Sequence, residues 1–389
     1  MTEADDSYII KTISNFINSN QVFTDITVQE DRKMNFVTPS GVIQDDQWVT
    51  HEDINLFAQL MVENETDPEF AEIINKQGLR QLLLQRKEAI DKTLTLMDCQ
   101  LRVNFFLHDL GRLALSVRKH DLKVPSIQQH TMPGKTLEYL SRVQAGLILF
   151  YGRTNSGKTT TIKGLLEKIN SSQQGHIVTI EDPVEYSMES NKCMISSKQI
   201  GVDVASYASG LRDALRQNPT HVMVGEIRDR ATMETALHGA ESGISLIATI
   251  HARDPATALW KILKWFPENS EQTAFSLANS LRAMVGCTML PNEAKDAFLV
   301  TTEYLLNEPL HPTGALINKA ISSATPSSLQ SLNDIMSEDY PANKGLHRQL
   351  NDSLFKLYSM GMVSKEAAIC ASNNPTALSG RIFSHITKT

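Results

Sequence analysis

Gly152-Arg153-Thr154-Asn155-Ser156-Gly157-Lys158-Thr159 decides how this chain is read. The octapeptide fits Gly-x-x-x-x-Gly-Lys-[Ser/Thr] at every fixed position. It follows an apolar, strand-like run over 146–151 and opens a helical pattern over 158–169. Glycines let the backbone curl so that successive N–H groups point inward at phosphate oxygens, and the helix behind adds its positive end. In such a loop Lys158 bridges the β- and γ-phosphates of ATP, and the Thr159 hydroxyl ligates Mg²⁺. Gly152, Thr154, Asn155, Ser156, Gly157 and Thr160 complete the candidate nucleotide cradle. The alternative is a chance glycine-rich turn, and the strand before and helix after weigh against it.

Outward from the loop, strands are expected over 176–180, 221–225 and 244–250, with helices over 206–217 and 230–242. Strands alternating with helices imply an α/β domain with a mostly parallel sheet covered on both faces. Two of the strands end in carboxylates. Ile177-Val178-Thr179-Ile180 runs into Glu181-Asp182-Pro183-Val184-Glu185, and Val222-Met223-Val224 runs into Gly225-Glu226. Strand carboxyl ends face the ligand crevice of such a sheet, so both clusters are expected beside the phosphates.

Nucleotide binding alone is not hydrolysis, which needs a group to orient water and acidic groups for the metal. Glu226 is the candidate for positioning and activating water, with a solvated strand end as the alternative. Glu181 and Glu185 are candidates for the acidic side of the site, Glu181 also at the Mg²⁺, through the nucleotide or water, together with Thr159. Asp182 is equally able to orient the turn at Pro183. Gly225 stands where a metal-binding aspartate would precede the glutamate. His251 closes the strand over 246–250 and is either a structural histidine or a sensor of the phosphates. Arginines that meet developing phosphate charge are the other requirement. Candidates are Arg212 and Arg216, one helical turn apart, Arg228, and Arg102, Arg112 and Arg118 further upstream; each is alternatively a surface ion pair.

Composition narrows the class. The chain has 389 residues, 41% of them hydrophobic, enough for two or three domains with real cores. A net charge of −7 and the lack of aromatic–basic interleaving argue against direct nucleic-acid binding. Cys99, Cys193, Cys287 and Cys370 are too far apart for a zinc site or a disulfide framework. The acidic start has no signal-peptide pattern, and no run reaches the roughly 20 apolar residues of a membrane helix, so a cytoplasmic protein reaching the membrane through partners is expected. Residues 1–123 mix helices (7–20, 52–63, 68–89) with strands (25–28, 34–37, 101–107, 113–117). The stretch 124–135 carries Pro125 and Pro133 and is expected as a linker. The ATPase core spans 136–310, and 311–389 reads as mainly helical.

These residues carry a resemblance. Four motifs accompany the phosphate loop in order: 179–186 (Thr-Ile-Glu-Asp-Pro-Val-Glu-Tyr), 211–219 (Leu-Arg-Asp-Ala-Leu-Arg-Gln-Asn-Pro), 224–229 (Val-Gly-Glu-Ile-Arg-Asp) and 248–252 (Ala-Thr-Ile-His-Ala). Together they resemble the PilT/GspE family of secretion ATPases, whose Asp box, arginine-bearing helix, Walker B motif and His box they match. Gly225 before Glu226 is usual in that family. Thr24-Asp25-Ile26-Thr27, Arg102-Val103-Asn104-Phe105, and Arg118 with the 124–127 stretch are similar to its N-terminal domain. The resemblance implies a PAS-like α+β N-terminal domain before a RecA-like P-loop domain with a helical C-terminal tail. It also implies a hexameric homo-oligomer that hydrolyses ATP with Mg²⁺ at an inner-membrane complex, alongside a second ATPase of that complex. The tetracysteine module of many type II assembly ATPases is absent. Where the retraction branch has Ala-Ile-Arg-Asn-Leu-Ile-Arg-Glu, residues 315–322 read Ala-Leu-Ile-Asn-Lys-Ala-Ile-Ser. These departures point to the DotB-like ATPases of type IVB secretion and the TraJ-like ATPases of IncI-type conjugation. A type IV pilus motor and a nucleotide-gated docking protein with little turnover remain as alternatives.

Overall fold

The computed structural model describes residues 7–19, 21–62, 68–121, 127–128, 131–185, 188–343 and 345–387. The chain divides into two compact units, Met1–Lys123 with Ala294–Ala297, and Val124–Glu293 with Phe298–Thr389.

The first unit runs α1 (Tyr8–Asn18), β1 (Asp25–Gln29), β2 (Arg32–Thr38), β3 (Gly41–Val49), α2 (His51–Val62), α3 (Pro68–Arg86), β4 (Ile90–Leu96), β5 (Cys99–His108) and β6 (Arg112–Asp121). Its strands form one antiparallel sheet in the order β3-β2-β1-β6-β5-β4. Strict alternation makes one face the core: Leu101, Val103 and Phe105 of β5 are fully buried, as are Leu113, Leu115 and Val117 of β6. α3 is broken where the sequence suggests one continuous helix. Gly78 takes φ 79°, and the Leu79 N–H turns to the Asn55 side chain at 3.1 Å.

The second unit continues with α4 (Gly134–Ser141), β7 (Gly146–Tyr151), α5 (Lys158–Ser172), β8 (Gly175–Glu181), β9 (Cys193–Gln199), α6 (Tyr207–Leu215), β10 (His221–Val224), α7 (Arg230–Glu241), β11 (Ser245–Ile250), α8 (Pro255–Lys264), α9 (Ser270–Ser280), β12 (Leu281–Pro291), β13 (Phe298–Leu306), α10 (Gly314–Ser322), α11 (Pro326–Met336), α12 (Leu350–Ser359), α13 (Lys365–Ala371) and α14 (Pro375–Ile386). The sheet order is β13-β12-β7-β11-β10-β8-β9, parallel except for β13. β7, β10 and β11 are buried along their whole length, which is why they read as unbroken apolar runs. The pleat divides their side chains between two layers: Leu147 and Leu149 pack with α6–α9, Ile148 and Phe150 with α4 and α5.

Two expectations about the second unit change. The Val124-Pro125-Ser126 part of the expected linker lies outside the described residues. Thr131 to Pro133, however, are built into the second unit: Met132 is buried against Ile148 and Phe150, and Thr302 Oγ1 donates to the Thr131 carbonyl at 2.6 Å. Pro133 marks the entry to α4 as its N-cap. The helices after 311 share the ATPase unit: α10 and α11 enter its main core, and α12–α14 close a small cluster with Leu290. Among the described residues no helix is long and apolar enough to cross a membrane.

Candidate nucleotide-binding and hydrolysis site

Strand β7 delivers the phosphate loop at the carboxyl edge of the sheet. The backbone curls through three left-handed residues, Gly152 (φ 147°), Asn155 (φ 60°) and Gly157 (φ 88°). Two of the glycines are also demanded by space. A Cβ on Gly152 would sit 2.5 Å from Ser156 Oγ and 2.6 Å from the Cys287 carbonyl, and one on Gly157 would sit 2.6 Å from Val300. Gly157 begins α5 with no side-chain cap, so the first N–H groups of the helix face the loop. Ser156 Oγ is buried with no hydrogen-bond partner among the described residues. Lys158 Nζ curls back onto the loop, donating to the Gly152 carbonyl at 3.1 Å and to the Arg153 carbonyl at 2.7 Å. Burial pulls its pKa down, while the nearby Cys287, Glu226 and Glu185 oppose this. A buried ammonium satisfied only by loop carbonyls and an orphaned hydroxyl in an uncapped cradle are what an anionic phosphate chain completes.

Sheet order sets the neighbours of that cradle. β11 lies beside β7, then β10, then β8, so the loop, His251, Glu226 and Asp182 stand in that order along one edge. His251 Nε2 is 3.2 Å from Glu226 Oε1. Burial lowers the His251 pKa and nearby Lys158 lowers it further, while Glu226 and a backbone contact with Gly152 oppose this. Arg228 Nε donates to Glu226 Oε2 at 2.7 Å, with Nη1 4.0 Å from Asp182 Oδ2. Glu226 is therefore held from both sides and is only 14% exposed. Gly225 has a steric reason to be glycine: a Cβ there would meet the Ile180 carbonyl at 3.1 Å and Tyr207 Oη at 3.2 Å. An aspartate at that position would need those neighbours to give by a few tenths of an ångström.

Other expected site residues go elsewhere. Glu181 does not face the crevice. It is buried and paired with Lys163 of α5 at 2.6 Å, both side chains almost wholly enclosed, because it is still the last residue of a buried strand. Its expected role at the metal is therefore corrected to a structural ion pair. Arg212 and Arg216 also leave the site. α6 runs antiparallel to the strands, so Tyr207 at its start lies near Arg228 while Arg212 and Arg216 fall towards the opposite edge. There they line a cleft of about 630 Å³ with Glu234, His238 and Ile244. Arg102, Arg112 and Arg118 belong to the first unit. Arg102 and Arg118 are direct cross-strand neighbours, Arg118 is 2.9 Å from Asp25, Arg102 3.7 Å from Asp91, and Arg112 3.8 Å from Asp31. Tyr186 lies outside the described residues.

Sequence reasoning missed several participants. Lys163 has the α5 spacing that a buried partner for Glu181 needs. Lys261 reaches the His251 carbonyl at 3.3 Å from α8. Tyr207 lies under Arg228, and Cys287 forms the wall behind Gly152. Lys163 sat inside the segment already read as the loop's helix and Tyr207 opens the arginine-bearing helix, where no motif marks it; Lys261 and Cys287 come from elements whose sequence signals no chemistry.

The profile of the family described as type II/IV secretion system protein matches residues 99–300, the stretch that holds every motif of this edge. The chain belongs to that family. It is a P-loop ATPase of the secretion and pilus-motor type. The type IV pilus ATPase PilU of Pseudomonas aeruginosa is 29% identical over 278 residues, covering 71% of this chain and 69% of PilU. The crystal structure of the pilus retraction motor PilT with bound ADP matches with a TM-score of 0.71 at 26% identity, covering 95% of this chain and 98% of that one. The ATPase DotB of Legionella pneumophila matches with a TM-score of 0.74 over 93% of this chain and 94% of its own, at 17% identity, a likeness of fold. Within the type II/IV secretion family, then, the phosphate loop, Glu226 and His251 form one edge of a single sheet.

Proposed function

We propose that this chain is the subunit of a hexameric ring that hydrolyses ATP with Mg²⁺ to power a type IVB secretion or conjugative transfer apparatus. It would work in the cytoplasm and reach the inner membrane through partner proteins, a second ATPase among them. The observation that carries the hydrolytic reading is the meeting of Lys158, Glu226 and His251 at one sheet edge. Glu226, held by Arg228 on one oxygen and His251 on the other, keeps a fixed carboxylate to orient water. His251, lowered towards its neutral form, relays the placement of Glu226 to the Gly152 backbone. Lys158 exchanges loop carbonyls for phosphate oxygens. The Thr159 hydroxyl, in the first turn of α5, is the group placed to hold the metal. Mg²⁺ held there would supply positive charge against the phosphates. Among the described residues no cluster of three or more His, Cys, Asp or Glu side chains forms a protein metal cage. That suits an ion held mainly by phosphate, Thr159 and water. With Glu181 enclosed, Glu185, whose charge is felt at Lys158, is the remaining acidic candidate beside it. In a ring, Arg102 and Arg118 of another copy are the candidates for the phosphate charge, from the family resemblance.

The likeness of fold to DotB and the divergent 315–322 stretch support the type IVB or conjugative machine. The PilU and PilT likenesses favour a second reading, a type IV pilus motor. Phosphate release by the purified full chain, measured as its concentration is raised through ring assembly, tests the motor reading. Turnover is expected to rise with assembly and to vanish in Lys158→Ala. An assembled ring without turnover would make the chain a nucleotide-gated docking protein. Deletion in the source cell then separates the machines: loss of plasmid transfer or effector export supports the first reading, loss of pilus retraction the second.

A further inference from the structure

Behind the phosphate loop lies a buried carboxyl that none of these steps uses. Glu303 of β13 is 7% exposed and makes no ion pair with a described residue. The strand register explains what it meets. Gly286 of β12 is opposite Tyr151 of β7 on one side and opposite Glu303 on the other. Directly opposed residues share a face, so the side chains of Tyr151 and Glu303 converge over Gly286. A Cβ on Gly286 would lie 2.6 Å from the Tyr151 ring and 2.7 Å from Glu303 Cγ, so only glycine lets the two approach. Glu303 Oε2 accepts the N–H of Leu350, the first residue of α12, at 3.1 Å. The Tyr151 phenol comes close to the carboxyl without closing a hydrogen bond of normal geometry. Asp254, the N-cap of α8, is the charged group that faces both, and Cys287 faces Tyr151.

An ionisable group buried without a cation is costly, and an aliphatic side chain would fill the same space without that cost. What Glu303 gains is a route to the loop. Tyr151 is followed by Gly152, whose carbonyl accepts the Lys158 ammonium at 3.1 Å. Hydrogen bonds in nucleotide-free sites are often loose and tighten when the ligand arrives.

We propose that Glu303 is a positioning residue for the phosphate loop: through Tyr151 it sets the Gly152 carbonyl, and hence Lys158, and it links that placement to the first turn of α12. The proposal rests on residues 152–159 being the phosphate cradle.

The test is a double-mutant cycle on nucleotide affinity in the full chain, read with a fluorescent ADP analogue, with thermal unfolding as the check on folding. Glu303→Leu is expected to weaken ADP binding about tenfold, and Tyr151→Phe about threefold. Tyr151→Phe placed on top of Glu303→Leu is expected to add nothing, since the two act through one contact. Glu303→Gln keeps an acceptor for Leu350 and a polar group for the phenol, and should recover binding to within about threefold of wild type. A folded Glu303→Leu protein that binds ADP as wild type does would overturn the proposal. So would a full additional loss from Tyr151→Phe in the double variant. Should Glu303→Leu fail to fold, Tyr151→Phe decides: unchanged affinity there sinks the idea, and a threefold loss that Glu303→Gln does not deepen supports it. Lys158→Ala separates the two readings. If it still binds ADP normally, the cradle reading falls and takes this proposal with it.

Discussion

Glu181 and Glu226 end neighbouring parallel strands and carry the same signature, an apolar run that stops at a carboxylate. Their fates differ completely. Glu181 is enclosed against Lys163 at 2.6 Å, whereas Glu226 stands between His251 and Arg228 at the open edge. The cause is where each strand lets go. β8 carries Glu181 as its last paired residue, and the chain leaves the sheet only at Asp182-Pro183. β10 stops at Val224, and the closely hemmed Gly225 lifts Glu226 clear of the sheet. Val224 pairs with Ile180, so Glu226 stands level with Asp182, one residue beyond Glu181, and that one step turns one carboxylate into a structural charge and leaves the other for chemistry.

The sharpest way to break this contrast is to remove each carboxylate in turn. Glu226→Gln is nearly isosteric and should lower ATP turnover by about 10² to 10⁴-fold, with unfolding stability and ADP affinity close to wild type. Glu181→Ala should do the reverse. It strands a buried lysine, so unfolding in urea should show a loss of about 3–5 kcal/mol. Any protein that remains folded should still turn over, and a turnover loss as large as that of Glu226→Gln at unchanged stability would return Glu181 to the metal site.

How legible these two residues were follows from the same contrast. Composition pattern and spacing locate strand ends to within a residue or two, enough to find the loop, Glu226 and His251, all of which act where their strands stop. The difference between Glu181 and Asp182 is smaller than that uncertainty. Sequence also does not announce which residue will stand opposite: Lys163 looks like any helix lysine until α5 packs on β8. β9, β12 and β13 went unread for a related reason. β9 is a half-exposed edge strand that turns polar from Ser196 onward, and β12 interrupts its apolar run with Arg282, Gly286 and Thr288. The family motifs compensated for the core of the ATPase unit and had nothing to offer for Glu303, Tyr151 or Lys261.

A smaller effect contrasts the two ends of the sheet through their histidines. His221 begins β10 and is 2% exposed; burial pushes it down to about 4, and His347, deep in the same unit, is likewise lowered to about 4. The unfolded chain binds a proton at each below about pH 6.5, while the folded chain refuses it until near pH 4. Stability is therefore present above pH 6.5 and lost as the pH falls towards 4, by about 1.4 kcal/mol per pH unit per histidine. Glu303, raised by burial to about 7, runs the other way between pH 7 and about 4.5, because the folded chain keeps a proton that the unfolded chain releases. The urea-unfolding free energy of His221→Asn minus that of wild type should rise by about 1.4 kcal/mol for each unit the pH drops from 6.5 to 4.5, because only wild type carries this loss. A difference that stays constant with pH would mean His221 is not held neutral.

The smallest expected effect concerns Arg212 and Arg216, and it tests whether the two edges of the sheet are separate. Both arginines follow Tyr207 on a helix that rises about 1.5 Å per residue away from the phosphate edge, and both line the cleft with Glu234 and His238. A side chain there cannot reach phosphates held at Lys158 in the same subunit. Arg212→Ala and Arg216→Ala should each leave ADP affinity within about twofold of wild type, where Lys158→Ala loses it, since charge changes at exposed positions away from the ligand cost little. Any change in turnover should then follow a change in assembly, visible as a shift in the protein concentration at which activity appears. If either variant weakens ADP binding tenfold while assembling normally, the arginine helix communicates with the loop through β10, and the carboxyl edge is not the self-contained site that Glu226 and His251 make it.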